Sequence, residues 1–116
     1  MISMAWKGTA RRGEADRYVR HLEQETFPQL AAIPGFLGAS ILRRQVAAGV
    51  QFLIVTEWES LEAIRRFAGD DPEVAVVPDA VRSMMELDTR VEHWEVVTPS
   101  GADPRAYRIQ MRQEIR

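Results

Sequence analysis

The chain has 116 residues, 46% apolar and 28% charged, which suits one globular domain around a single core. A formal net charge of −2 leaves no basic footprint for nucleic acid; no apolar run reaches the roughly 20 residues that span a bilayer, and nothing at the start reads as a signal peptide, so the cytoplasm is the expected location. With no Cys, disulfides, thiolate nucleophiles, Cys-ligated metals and iron–sulfur clusters are excluded.

Ile2 to Thr9 alternates Ile2, Met4, Trp6 and Gly8 against Ser3, Ala5, Lys7 and Thr9, the period-two pattern of a first strand. Arg11-Arg12-Gly13 turns the chain. From Glu14 to Leu30, Ala15, Tyr18, Val19, Leu22 and Thr26 recur at three and four, which predicts one buried face of a helix. Ile33-Pro34-Gly35 ends it. Phe36 to Arg44 reads as a second strand, joined through Ala47-Ala48-Gly49 to a third, Gln51 to Trp58. That third strand is apolar without alternation, so burial is expected on both of its faces. Two or three helices cover only one face of a small sheet, and a second copy of the chain is the expected cover for the other. Ser60 is placed to cap a short helix carrying Leu61, Ile64 and Phe67. Gly69 to Pro72 interrupts it, and Val74, Val77, Val81 and Met84 predict further turns bent at Pro78. Thr89 to Val97 completes a fourth strand.

The order β-α-β-β-α-β predicts an α+β fold of the ferredoxin-like split type, an antiparallel sheet with both helices on one face. Residues 1–97 form the expected domain and 98–104 a linker rich in Pro and Gly. Residues 105–116 form an extension expected to dock on the dimer partner.

His21 and His93 are the only side chains whose ordinary pKa suits acid–base work near neutrality. His93, inside the last strand, is the candidate catalytic base; a hydrogen-bonded core or interface histidine is the commoner explanation of such a placement. Trp6, Trp58 and Trp94 sit on three strands, and Tyr18, His21 and Phe67 come from the helices. These six are the candidate lining of a hollow for a flat apolar ligand, although rings of this size also serve plain core packing. Glu57 and Glu59 point to one side of the strand end, where solvation explains them. The Arg pairs at 11/12, 43/44 and 65/66 read as solvated edges that discourage strand pairing. Neither a glycine-rich phosphate loop nor a G-x-S-x-G elbow is present, and no His pair has metal-ligand spacing, so neither metal nor cofactor is expected.

Trp58-Glu59-Ser60-Leu61-Glu62-Ala63-Ile64, Phe67-Ala68-Gly69 and Val91-Glu92-His93-Trp94-Glu95-Val96 follow one another in a way that resembles the antibiotic biosynthesis monooxygenase (ABM) family. Met4-Ala5-Trp6-Lys7-Gly8 and Pro34-Gly35-Phe36 fit the same pattern, and the likeness runs over about residues 2 to 97. The resemblance implies a dimeric α+β barrel and, as activity, a cofactor-independent monooxygenase acting on a small aromatic such as a hydroquinone or anthrone. It also brings in haem-degrading members, which use an Asn, a helical Trp and a His ligand; on this chain those positions fall near Lys7, at Phe67 and at Val77. No Asn occurs anywhere in the sequence, so that mechanism does not carry over. Fourteen Arg against the single Lys7, with abundant Ala, suit a GC-rich bacterial source. Two alternatives stay open beside the oxygenase: a non-catalytic ligand-binding or stress-response dimer, and a cyclase or isomerase working in the same pocket without oxygen.

Overall fold

The computed structural model describes residues 1–69, 75, 78–87 and 90–97. The expected linker at 98–104, the extension at 105–116, and the predicted helical positions Val74 and Val77 lie outside the described residues. Strand β1 (Ile2–Ala10) leads through a 3-10 turn at Arg12–Glu14 into α1 (Ala15–His21). A π-helical segment, Leu22–Thr26, and α2 (Phe27–Ala31) continue the same rod. Then come β2 (Phe36–Val46), β3 (Gly49–Trp58), α3 (Leu61–Ala68), α4 (Asp79–Arg82), β4 (Met85–Leu87) and β5 (Glu92–Glu95). The sheet is antiparallel in every pairing, in the order β2-β3-β1-β4, with β5 also on β1. This is the ferredoxin-like α+β arrangement expected from the order of the elements.

The last strand differs from the single run predicted over Thr89 to Val97. Gly8 faces Leu87 whereas Ala5 faces Glu92, so two extra residues enter the edge strand between its halves. An insertion of two keeps the alternation of faces, and the strand resumes with the same side chains inward. Met84, expected on a helix, is a buried turn residue just before β4. Pro78 stands in extended conformation before α4 instead of bending a helix, a position where its missing N–H costs nothing.

The π turn has an identifiable cause. Pro28 lies within the helical run, where a proline cannot donate to the carbonyl four residues back and its ring presses on that carbonyl. Widening the turn just before it relieves the clash and advances the helix by one residue, so that Leu30 is buried in phase with Tyr18 and Leu22.

On the helix side, Val50, Phe52, Ile54, Thr56 and Trp58 of β3 are buried in strict alternation with half-buried Gln51, Leu53, Val55 and Glu57. Two core clusters result. One joins Tyr18 and Leu22 to Phe52, Ile54 and Val81; the other joins Leu30, Trp58 and Ile64 to Met4 and Val91. Trp6 and Phe27 pack against both. Turns hold the layers together. Gly35, at φ 94°, accepts from Glu59 N–H through its carbonyl at 2.8 Å, and a Cβ there would meet Ala63 Cβ at 2.6 Å. Gly49 closes the β2–β3 hairpin at φ 148°, where a Cβ would strike the Ala10 carbonyl.

The Arg pairs do more than shield edges. Arg11 donates to the Ser83 carbonyl, Arg12 to Val46 O at 2.7 Å and Arg66 to Pro34 O at 2.9 Å. Each ties a side chain to a backbone carbonyl in a distant part of the fold. Arg43 pairs with Asp16 at 3.1 Å across the surface.

Candidate functional site

Between the two core clusters lies a half-open cavity with about 80 Å³ reachable by the centre of a water-sized sphere. That is room for several waters or for one aromatic ring set among the walls. Its floor is the sheet, through Met4, Trp6, Ile54 and Thr56; its roof is the α1–α2 rod, through Tyr18, Leu22, Thr26, Phe27 and Leu30. Phe67 of α3, Ala75, Pro78, Val81 and Val91 close the sides. The π turn matters here, because its wider turn lets Phe27, five residues on, share the face of Leu22 and Thr26.

Rings form much of this wall. Trp6 and Tyr18 lie 6.2 Å apart, and Tyr18 meets Phe52 edge-on at 4.9 Å. Polar chemistry enters through the hydroxyls of Tyr18, Thr26 and Thr56. Burial raises the Tyr18 pKa well above its ordinary value, which keeps the phenol protonated and so able to donate a hydrogen bond. Thr56, 3% exposed, accepts a 2.8 Å hydrogen bond from Trp58 Nε1.

Of the candidate residues, Trp6, Tyr18 and Phe67 line the cavity. Trp58 stands behind it, fully buried, stacked on Phe67 at 6.1 Å and 24° and met edge-on by Phe36 at 5.2 Å. Register decides the orientation of the last strand. His93 lies opposite Met4 and so shares the helix-side face with Val91; Trp94 lies opposite Ser3, on the other face, and is 59% exposed. His93 is therefore beside two lining residues without lining the cavity itself, and its buried Nε2 has no hydrogen-bond partner among the described residues. His21 is also outside the lining, half-buried on α1 with an unpartnered Nε2. Glu57 accepts from Ser3 Oγ on the outer face, and Glu59 is exposed past the strand end. Thr56 is the lining hydroxyl that the sequence pattern did not single out, and Thr26 was placed on the buried helix face without a polar role: a Thr within an apolar face reads as one more β-branched core residue.

The outer face of the sheet is of a different kind. Leu42 faces Leu53, and Ala5 faces Val55, with Leu42 48% exposed. A groove of about 310 Å³ runs beside them, bounded by Lys7, Arg44 and Gln51.

The family described as antibiotic biosynthesis monooxygenase matches residues 1–73. No curated protein matches the chain by sequence. Among solved structures, the heme-degrader MhuD of Mycobacterium tuberculosis, with two hemes bound in its active site, is 22% identical; the match covers 87% of this chain and 100% of that one, with a TM-score of 0.62. SnoaB, a cofactor-independent oxygenase from Streptomyces nogalater, is 15% identical over 84% of this chain and 94% of its own, with a TM-score of 0.61. A monooxygenase from the gene ActVA-Orf6 of Streptomyces coelicolor, in complex with the ligand nanaomycin D, is 23% identical over 88% and 89%, with a TM-score of 0.54. At these identities the likeness is one of fold.

Proposed function

From the chain's membership of the antibiotic biosynthesis monooxygenase family, we propose that it is a cofactor-independent monooxygenase acting on a small aromatic of the hydroquinone or anthrone type. The observation that carries this reading is the cavity itself: apolar, walled by Trp6, Tyr18, Phe27 and Phe67, and provided with hydroxyls that can orient an oxygenated ring. SnoaB and the ActVA-Orf6 protein, which share the fold, support the same direction.

In this chemistry the substrate supplies the electrons. A base removes a proton from the doubly benzylic CH₂ across the central ring from the carbonyl, and the resulting anion passes one electron to O₂. Recombination gives a peroxide, and loss of water leaves the quinone, so that CH₂ and O₂ become C=O and H₂O. The protein has three tasks: to take the proton, to hold the anion, and to keep bulk water away. His93 is the proposed base. It stands on the cavity side of the sheet, directly across from Met4, with a buried Nε2 that has no hydrogen-bond partner among the described residues. Tyr18, held as the neutral phenol, is suited to donate to the substrate oxygen. Heme is not proposed as the ligand, since the sequence has no Asn and Lys7 is exposed on the outer face, away from the cavity.

The functional unit is proposed to be a homodimer in which the outer sheet faces pack together. The apolar pairs Leu42–Leu53 and Ala5–Val55 support this, being incompletely covered in a single chain.

The test is oxygen uptake with an anthrone and no added cofactor, for the wild type and His93→Ala. Quinone formation above the buffer rate, reduced at least about tenfold in the variant, is the expected result. Unchanged turnover in the variant removes His93 from the reaction. One observation favours a second reading, a dimer that binds a small aromatic without transforming it: neither histidine lines the cavity. Binding with no oxygen uptake would select that reading.

A further inference from the structure

We infer that Thr56 is the fixed hydrogen-bond donor of the cavity, and that Trp58, which does not touch the ligand, is the residue that positions it. The inference deepens the reading above and rests on the cavity being the ligand site.

Thr56 is a cavity-lining polar residue, 3% exposed, on a strand whose other inward side chains are apolar. A buried hydroxyl is expected to find partners for both its hydrogen and its lone pairs. One lone pair of Thr56 Oγ1 is taken by Trp58 Nε1 at 2.8 Å. An indole N–H can only donate, so this bond fixes the hydroxyl as acceptor on one side and leaves its own hydrogen to be given elsewhere. Trp58 itself is held by packing. It is fully buried, with Phe36 against its edge and Phe67 stacked on its face. The indole therefore holds Oγ1 in place, and a donor-to-donor chain strengthens the outgoing bond.

The chemistry that matches such a donor is a carbonyl, or the phenolate formed from it, on an aromatic ring. A ring between Trp6, Tyr18 and Phe67 brings its substituents toward the sheet floor where Thr56 lies. The site should thus discriminate an aryl ketone from the corresponding hydrocarbon, beyond what the apolar walls provide.

The experiment compares 1-tetralone with tetralin, the same two rings without the carbonyl, titrated under nitrogen and followed by NMR shifts of the indole N–H groups. In wild-type protein the ketone should move the Trp58 indole resonance more than the hydrocarbon does. In Thr56→Val the preference for ketone over hydrocarbon should fall by about 3- to 10-fold, the value of one neutral hydrogen bond. Thr56→Ser should retain it. Trp58→Phe, checked for folding by its thermal transition, should lose part of it, read as the ratio of ketone to tetralin affinity within that variant so that a general weakening of binding cancels. An unchanged preference in Thr56→Val, or failure of both probes to bind the wild type, overturns the inference. An unchanged preference in Trp58→Phe removes the positioning role. Because no turnover is involved, absence of oxygen uptake with an anthrone would defeat the monooxygenase reading and leave this result standing, and the reverse holds equally.

Discussion

Tyr18 shows how one residue joins stability to function. It is 1% exposed, and burial holds its pKa above the ordinary value of 10.0. Below pH 10 the phenol is neutral in both folded and unfolded chains, so it contributes no pH dependence. Above pH 10 the unfolded chain releases this proton while the folded chain keeps it, and stability falls with rising pH by up to about 1.4 kcal/mol per unit. Urea unfolding at pH 9 and pH 11 should therefore show a steeper loss for the wild type than for Tyr18→Phe. Equal losses would mean that the phenol is not desolvated. Tyr18, Trp6 and Phe67 were legible as lining because helix and strand periods put them on inward faces. His93 and Trp94 were not separable in the same way, since apolar and polar residues fall on both sides of that strand; only the pairing with Met4 and Ser3 distinguishes them. The donor at Thr56 left no trace in the pattern, because its hydroxyl acquires meaning only beside the Trp58 indole.

At the scale of elements, the contact between the Gly35 turn and α3 is the joint that positions Phe67 over the cavity. An Ala at 35 faces two costs: a positive φ unsuited to a side chain, and a Cβ 2.6 Å from that of Ala63. Gly35→Ala should lower stability by about 2 kcal/mol or more, read as a reduced urea midpoint. Adding Ala63→Gly removes the clash but not the backbone strain, so the double variant should lose less than the sum of the two single losses. Strict additivity would place the whole effect in the backbone. This turn was legible from Pro34-Gly35, as was the cap of α3, where Ser60 Oγ accepts from Ala63 N at 3.2 Å. The π turn was not. Apolar spacing over Glu14 to Leu30 fits an ordinary helix well enough to hide Pro28, whose steric demand shifts the phase only locally. The divided edge strand was hidden for a related reason, as an insertion of two leaves the inward-outward alternation intact.

At the scale of the molecule, the described residues cover one face of the sheet with helices and leave the other without them. The continuous apolar run of β3 announced this in the sequence, and the fold resolves it into a fully buried inner row and a half-buried outer row. Leu53 and Val55 are flanked there by Leu42 and Ala5, with Trp94 59% exposed farther along the same face. In the proposed dimer, each strand row of one copy would meet its equivalent in the other about a two-fold axis. A stable interface of this type buries on the order of 1,200–2,000 Å². Sedimentation velocity at micromolar concentration should then give twice the chain mass of 13.2 kDa. Leu53→Glu puts a carboxylate on the apolar face of each copy, a cost of several kcal/mol to the proposed interface that should shift the protein toward monomer. Glu23→Lys, a charge reversal on the exposed side of the helix layer, should leave the mass unchanged. A monomeric wild type, or a Leu53→Glu variant that remains fully dimeric, would refute pairing through this face. The inner cavity lies on the opposite side of the sheet, so ligand binding by a monomeric variant would separate the two surfaces: retained 1-tetralone affinity would show that each chain carries a complete site, and its loss would show that association shapes the cavity through the strands they share.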